Sequence, residues 1–176
     1  MDSLIPIIIN KTKDPDGLER FRAALSLEEL ILKPSLSKQI MEIQEAYAKL
    51  IQDCKVLLKT LKSSRKNRGN PLLKWDLAKK IVNFMEQIED KGYHFANSAN
   101  ALSRDLGISE RQVNYLIEFA KTFPRKETLH PQISWDKYKE ILDVKNRQFQ
   151  MTIIKKLLDG ELKTRDDIRK FKKTLK

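Results

Sequence analysis

The sequence predicts an all-α fold: a multi-helix domain containing a helix-turn-helix, preceded by a long heptad-patterned helix. Three observations predict it. Only five glycines and six prolines interrupt 176 residues rich in Leu, Ile, Lys and Glu, a composition that favours helix. Apolar residues recur at helical spacing along most of the chain. Segment 99–118 (ANALSRDLGISERQVNYLIE) puts small and apolar residues where two helices crossing at a tight turn require them.

In chain order, the run Leu4-Ile5-Pro6-Ile7-Ile8-Ile9 is the only β-like stretch and reads as an edge strand or extended arm. It lacks a basic lead and is too short for a secretory apolar region, so no targeting signal is expected. After the turn Asp14-Pro15-Asp16-Gly17, a short helix is expected over about Leu18–Leu25. Ser26 and Glu29 then form a capping box for a helix closed by Lys33-Pro34.

From Leu36 the apolar residues are Leu36, Ile40, Ile43, Tyr47, Leu50, Cys54, Leu57 and Leu61, a 3.5-residue repeat that a two-helix seam buries. Two readings stay open. A homodimer through the 36–61 helix would pair two helix-turn-helix units on a two-fold site, whereas a hairpin would fill the seam from the same chain. Ile51 and Leu58 widen the stripe, as in globular packing. Cys54, the single cysteine, rules out an internal disulfide, fits an apolar seam position and suits a reducing, cytoplasmic setting.

The polar, basic run Lys62–Pro71 is the best boundary in the chain. The expected organisation is therefore 1–61 as arm and amphipathic, coiled-coil-like helix, 62–71 as basic linker, 72–146 as helix-turn-helix domain, and 147–176 as C-terminal basic helices. Leu72–Met85 reads as a helix whose Trp75, Leu77, Ala78, Ile81, Val82 and Met85 pack beneath the helix-turn-helix.

Within that unit Leu102 and Leu106 lie one turn apart, Ser103 permits close approach, and Gly107 suits the left-handed residue that ends a helix. Ser109 and Gln112 make a capping box, followed by Val113, Leu116, Ile117 and Ala120 as an apolar stripe. Arg111, Asn114 and Tyr115 are left outward, free to meet base edges. Arg104, Ser109, Gln112, Lys121, Arg125 and Lys126 are placed for phosphates. Glu110 and Glu118 share that face, where a carboxylate is tolerated mainly opposite cytosine. A purely structural helix pair joined by Leu-Gly-Ile-Ser is the bland alternative.

Beyond Phe123-Pro124, Ser134 caps a helix over Trp135–Leu142 with Trp135, Tyr138, Ile141 and Leu142 inward. A further helix near Asn146–Leu158 stops at Gly160. Thr164 and Asp167 cap a last basic helix, whose flank carries Lys155, Lys156, Arg165, Arg169 and Lys173 for phosphates or for solvent.

Charge is unevenly spread. Of a formal +11, residues 1–58 carry 8 Lys/Arg against 9 Asp/Glu, and residues 59–176 carry 27 against 15. A basic half of this kind concentrates near a polyanion and predicts salt-sensitive association. Double-stranded DNA is the expected partner. RNA stays open, although the sheet-and-aromatic signatures of single-strand modules are missing. No apolar run approaches the ~20 residues of a membrane span.

Four blocks in the middle of the chain resemble a known family. They are Lys74–Val82 (KWDLAKKIV), Ala101–Val113 (ALSRDLGISERQV), Phe123-Pro124 and Ile133–Leu142 (ISWDKYKEIL). In order and spacing they are similar to the N-terminal domain of the YhcG-type PDDEXK nucleases. The resemblance covers about Leu72–Asn146 and implies a helical DNA-binding module that in the family usually precedes a nuclease domain. Too little sequence follows Asn146 to hold that domain. Ala78 stands where the family pattern has glycine, and Lys137 where it has histidine.

Catalysis is not expected. Asp76 and Glu89-Asp90-Lys91 match a nuclease metal site in letters only, because they fall on a helix and its end rather than on paired strands. His94, in a loop, and His130, near a proline, lack partners at metal or nucleophile spacing. No Gly-rich phosphate loop occurs, and neither cofactor nor metal is expected. The sequence reads as a DNA-binding helix-turn-helix protein, a transcriptional regulator or DNA-targeting module. The alternative is a non-catalytic subunit that recruits a separate nuclease or other DNA-processing enzyme.

Overall fold

Trp135, Phe119, Phe123 and Tyr138 meet at the centre of a helical array, and the elements around them follow the periodicities of the sequence. The computed structural model describes residues 8–10, 34–95 and 97–174. Among them run β1 (Ile8–Asn10), α1 (Pro34–Ser63), α2 (Arg65–Arg68), α3 (Pro71–Asp90), β2 (Tyr93–Phe95), α4 (Ser98–Leu106) and α5 (Glu110–Thr122). A 3₁₀ turn (Lys126–Thr128), α6 (Trp135–Leu142), α7 (Arg147–Leu158) and α8 (Arg165–Thr174) follow. The fold is all-α and multi-helical, with one short strand pair among the described residues. Leu4–Ile7 and the helices expected between Leu18 and Lys33 lie outside the described residues.

The β-like run does end in a strand. β1 pairs antiparallel with β2, Ile8 opposite Phe95 and Asn10 opposite Tyr93. His94 therefore lies on a strand and not, as expected, in a loop. Three residues are too few for alternation to reveal β2 beforehand.

α1 and α3 pack along their lengths, and this fills the heptad seam. Ile43, Leu50, Cys54 and Leu61 are buried in the chain's own core together with Leu58. That part of the seam is closed from within the chain, as the hairpin reading has it, and is not left free for a second copy. Tyr47 and Leu57 pack half-buried at the edge, and the side chains of Leu36 and Ile40 lie outside the description. The extra apolar position, Leu58, turns a narrow stripe into a broad one that α3 covers.

The run 62–71 is an ordered corner, with Lys62–Lys66 and Arg68 exposed. Ser64 Oγ accepts the Asn67 N–H at 3.1 Å, and Asn67 Nδ2 donates to Thr60 O at 3.2 Å and Ser63 Oγ at 3.0 Å. Asn70 caps α3 by accepting the Leu72 N–H at 2.9 Å. Gly69 O accepts the Trp135 N–H at 2.9 Å, fastening the corner to α6. Short polar side chains bond backbone locally, so a Ser/Asn-rich run need not be loose.

The core is one cluster that runs from α1 through α3 and α5 to α6, with Ile153, Ile154 and Ile168 from α7 and α8. Trp75, expected inside it, sits half-buried at its edge. Its indole N–H donates to Phe123 O at 2.7 Å, the wet-edged position that suits a large ring with one polar atom.

α8 is held on α6 by charge. Glu140 is buried, and its Oε1 accepts from Arg165 and Arg169, each at 2.8 Å, while Lys172 approaches Oε2 at 3.3 Å. Burial works to raise the carboxyl pKa. The hydrogen bonds from Arg169, Arg165 and Lys172 outweigh it and hold the group at about 2. Thr164 Oγ1 and the Asp167 carboxylate cap α8 reciprocally.

Two stability predictions follow from this packing. Gly107 has φ +64° with open space where a Cβ would stand, so Gly107→Ala should cost about 1–2 kcal/mol through backbone strain alone, read as a lower urea midpoint at unchanged slope. Glu140 titrates below its ordinary value near 4.5, so its contribution is present above that pH and fades as pH falls toward 2. Glu140→Gln should cost about 2 kcal/mol at neutral pH and flatten the acid limb of a stability-against-pH curve. An equally steep limb would show that the carboxylate does not hold α8.

Candidate nucleic-acid interface

The α4–α5 pair is shaped by its turn. The N–H groups of Gly107 and Ile108 both donate to Ser103 O, the latter at 3.1 Å, closing α4 on its left-handed glycine. Ser109 Oγ accepts the Gln112 N–H at 3.3 Å, and Gln112 Oε1 accepts the Ser109 N–H at 3.2 Å. This reciprocal capping box starts α5. Tyr47 donates to Asp105 Oδ2 at 2.7 Å and ties α4 to α1. Burial and that hydrogen bond both push the Tyr47 hydroxyl pKa upward, so the phenol stays a donor.

The inner face of α5 is Val113, Leu116, Phe119 and Ala120, all buried. Its outer face is fixed in consequence. Arg111 and Asn114 are exposed and Tyr115 is half-buried. The Arg111 guanidinium lies 5.6 Å from the Tyr115 ring centre and donates to its hydroxyl at 3.3 Å. The three residues expected at base edges therefore lie side by side, two of them in contact.

The six residues expected near phosphates separate into groups. Lys121 and Arg125 are exposed and have no ion pair among the described residues. Arg104 pairs with its neighbour Asp105 at 3.2 Å. Ser109 and Gln112 spend their side chains on each other. Lys126 is engaged by Asp76 at 2.6 and 2.8 Å and sits 5.9 Å over the Trp75 ring. Of the acidic residues on α5, Glu118 faces Lys145 at 3.5 Å, and Glu110 is exposed in the first turn.

The nuclease-like letters are far apart. Asp76 and Glu89 lie on the single helix α3, 13 residues or about 20 Å apart along its axis, and Lys91 pairs with Glu42 of α1 at 3.3 Å. The His130 backbone N–H donates to the buried Tyr138 hydroxyl at 2.9 Å. Cys54 is fully buried, and burial pushes its thiol pKa up to about 12. Among the described residues no group of His, Cys, Asp and Glu is arranged to hold a metal ion, and no helix is long and apolar enough to cross a membrane.

Sequence reasoning passed over Glu140 and Lys74. Arg165, Arg169 and Lys172 fall at i, i+4 and i+7 on one face of α8, a cationic stripe that demands an anion opposite. That signal was present, but nothing local tells which helix supplies the anion. Lys74 sits half-buried with its ammonium 5.8 Å over the Trp135 ring. Burial and the nearby Lys139 lower its pKa.

No protein-family model, curated protein or solved structure matches the chain.

Proposed function

We propose that this chain binds double-stranded DNA and that α4–α5 acts as its helix-turn-helix, with α5 entering the major groove. The observation that carries the reading is the outer face of α5, where Arg111 and Asn114 stand exposed one turn apart on a helix whose rotation is fixed by packing. Arginine offers a fork for guanine, and asparagine a matched donor and acceptor for adenine. Tyr115 steadies the guanidinium from the side. Lys121 and Arg125 lie beyond, uncommitted and suited to phosphates, with Arg104 and the capped turn at Ser109 and Gln112 at the other end. Lys126 would have to leave Asp76 to contribute.

The basic excess after residue 58 supplies the field that gathers such a protein onto a polyanion. The pairing of Glu118 with Lys145 removes one objection to a groove-facing carboxylate. A module similar to the YhcG-type N-terminal domain and a cytoplasmic setting belong to the same reading. So does a role as regulator or DNA-targeting module. One observation favours the alternative of an interaction subunit that recruits a separate nuclease: Met41 and Val56 are 56% and 62% exposed on α1. A homodimer would need that outer face, because much of the heptad seam is filled.

Fluorescence anisotropy on a random-sequence duplex across a salt series tests the proposal. Affinity should fall steeply with salt, and Lys121→Ala and Arg125→Ala should each reduce the logarithmic slope by about one. The triple variant Arg111→Ala, Asn114→Ala, Tyr115→Ala should weaken binding at least about tenfold. Unchanged affinity in that variant would sink the groove contact. No binding by the parent at low salt would favour the recruiting subunit.

A further inference from the structure

Beside α5 lies a cleft of about 840 Å³, walled by the end of α1, α2, the start of α3, the first turn of α5, and α6 and α8. Its volume is that of a small-ligand site. Eight of its lining residues are Lys or Arg and three are Asp or Glu. All three carboxylates are already engaged. Asp136 takes Lys139 at 2.7 Å, Glu140 takes Arg165, Arg169 and Lys172, and Asp143 takes Lys172 at 3.3 Å.

The remaining four cations, Lys62, Arg68, Lys74 and Arg111, have no carboxylate partner among the described residues. Three are exposed, where water serves them. Lys74 is not: its half-buried ammonium has the face of Trp135 and the field of the Asp136 carboxylate, which is itself paired with Lys139. Burial and the neighbouring Lys139 outweigh that carboxylate, so the Lys74 charge is held at a net cost. It becomes favourable when an anion enters between the cations.

We propose that this cleft is a binding site for a phosphate group, with Lys74 as its central ligand and Arg68, Lys62 and Arg111 around it. Phosphate fits better than a lone carboxylate because several separate donors line one cleft, and a phosphate presents three or four acceptor oxygens to them. The phosphate comes either from a free nucleoside polyphosphate or from the backbone of a strand laid along α5. Only the second source rests on the DNA-binding reading above.

The test uses the full chain and its Lys74→Gln, Lys74→Arg and Lys155→Gln variants. Lys155 is exposed on α7 outside the cleft, so its loss controls for net charge. Since burial disfavours the Lys74 charge, Lys74→Gln should melt no lower than the parent. Calorimetric titration with tripolyphosphate should show saturable one-to-one binding. Lys74→Gln should weaken it roughly tenfold to a hundredfold, Lys74→Arg should restore most of it, and Lys155→Gln should leave it within about twofold. That pattern identifies a free polyphosphate ligand and holds whether or not DNA binds.

If tripolyphosphate does not bind, but Lys74→Gln lowers the salt slope on a random duplex by about one and Lys155→Gln does not, the phosphate belongs to the strand. Equal responses of Lys74→Gln and Lys155→Gln in both titrations, or no binding in either, overturn the site.

Discussion

The rest of the molecule depends on the aromatic packing of Phe119 against Trp135, Tyr138 and Phe123. Ring centres at 5.0, 5.3 and 5.5 Å, all tilted or edge-on, join the middle of α5 to the whole of α6 and to the end of α5 itself. Tilted ring contacts fix orientation as well as distance, since the edge of one ring must meet the face of another. With Phe119 fully buried, α5 has no freedom to roll. Its outer face is therefore decided by its inner one, and Arg111 and Asn114 lie on the exposed side because Val113, Leu116 and Phe119 fill the buried one.

The same packing seats the charge. Trp135 packs against Phe119 and receives the Lys74 ammonium over its ring, while its backbone N–H holds Gly69 at the α1–α3 corner. One residue thus links the core, the corner and the cationic cleft. Around the cleft, α8 brings three cations to one buried carboxylate, and Lys172 reaches both Glu140 and Asp143. A helix whose exposed surface is highly basic would be repelled from a basic body. Glu140 reverses the sign of that interaction at the point of contact, where low dielectric makes it strongest.

What was legible in the sequence is local. The Ser109–Gln112 box, the left-handed Gly107, the Thr164 cap and the inward face of α6 all follow from residues within a few positions of one another. These decide where helices begin and end and which side is apolar. They do not decide which helix covers which. Lys126 and Asp76 are 50 residues apart, Tyr47 and Asp105 are 58 apart, and Glu140 meets cations 25 to 32 residues away. Such pairs exist only after packing has brought the helices together, so a phosphate candidate such as Lys126 looks free in the sequence when it is bound. The heptad helix shows the same limit. Its spacing establishes that a partner helix exists, and only the docking of α3 says that the partner is in the same chain.

The arrangement also shows why the unpaired cations matter more than the net charge. Carboxylates already serve four of the cleft's eight basic residues, so counting Lys and Arg overstates what an anion would meet. The field that remains comes from Lys62, Arg68, Lys74 and Arg111, on four different elements converging on one space. Mutual repulsion among them works against the compact state. An oppositely charged ligand would remove that cost. The outer face of α5 and the cleft share Arg111 and Tyr115, so an anion in one alters the electrostatics of the other. Charge and packing meet at this edge of α5.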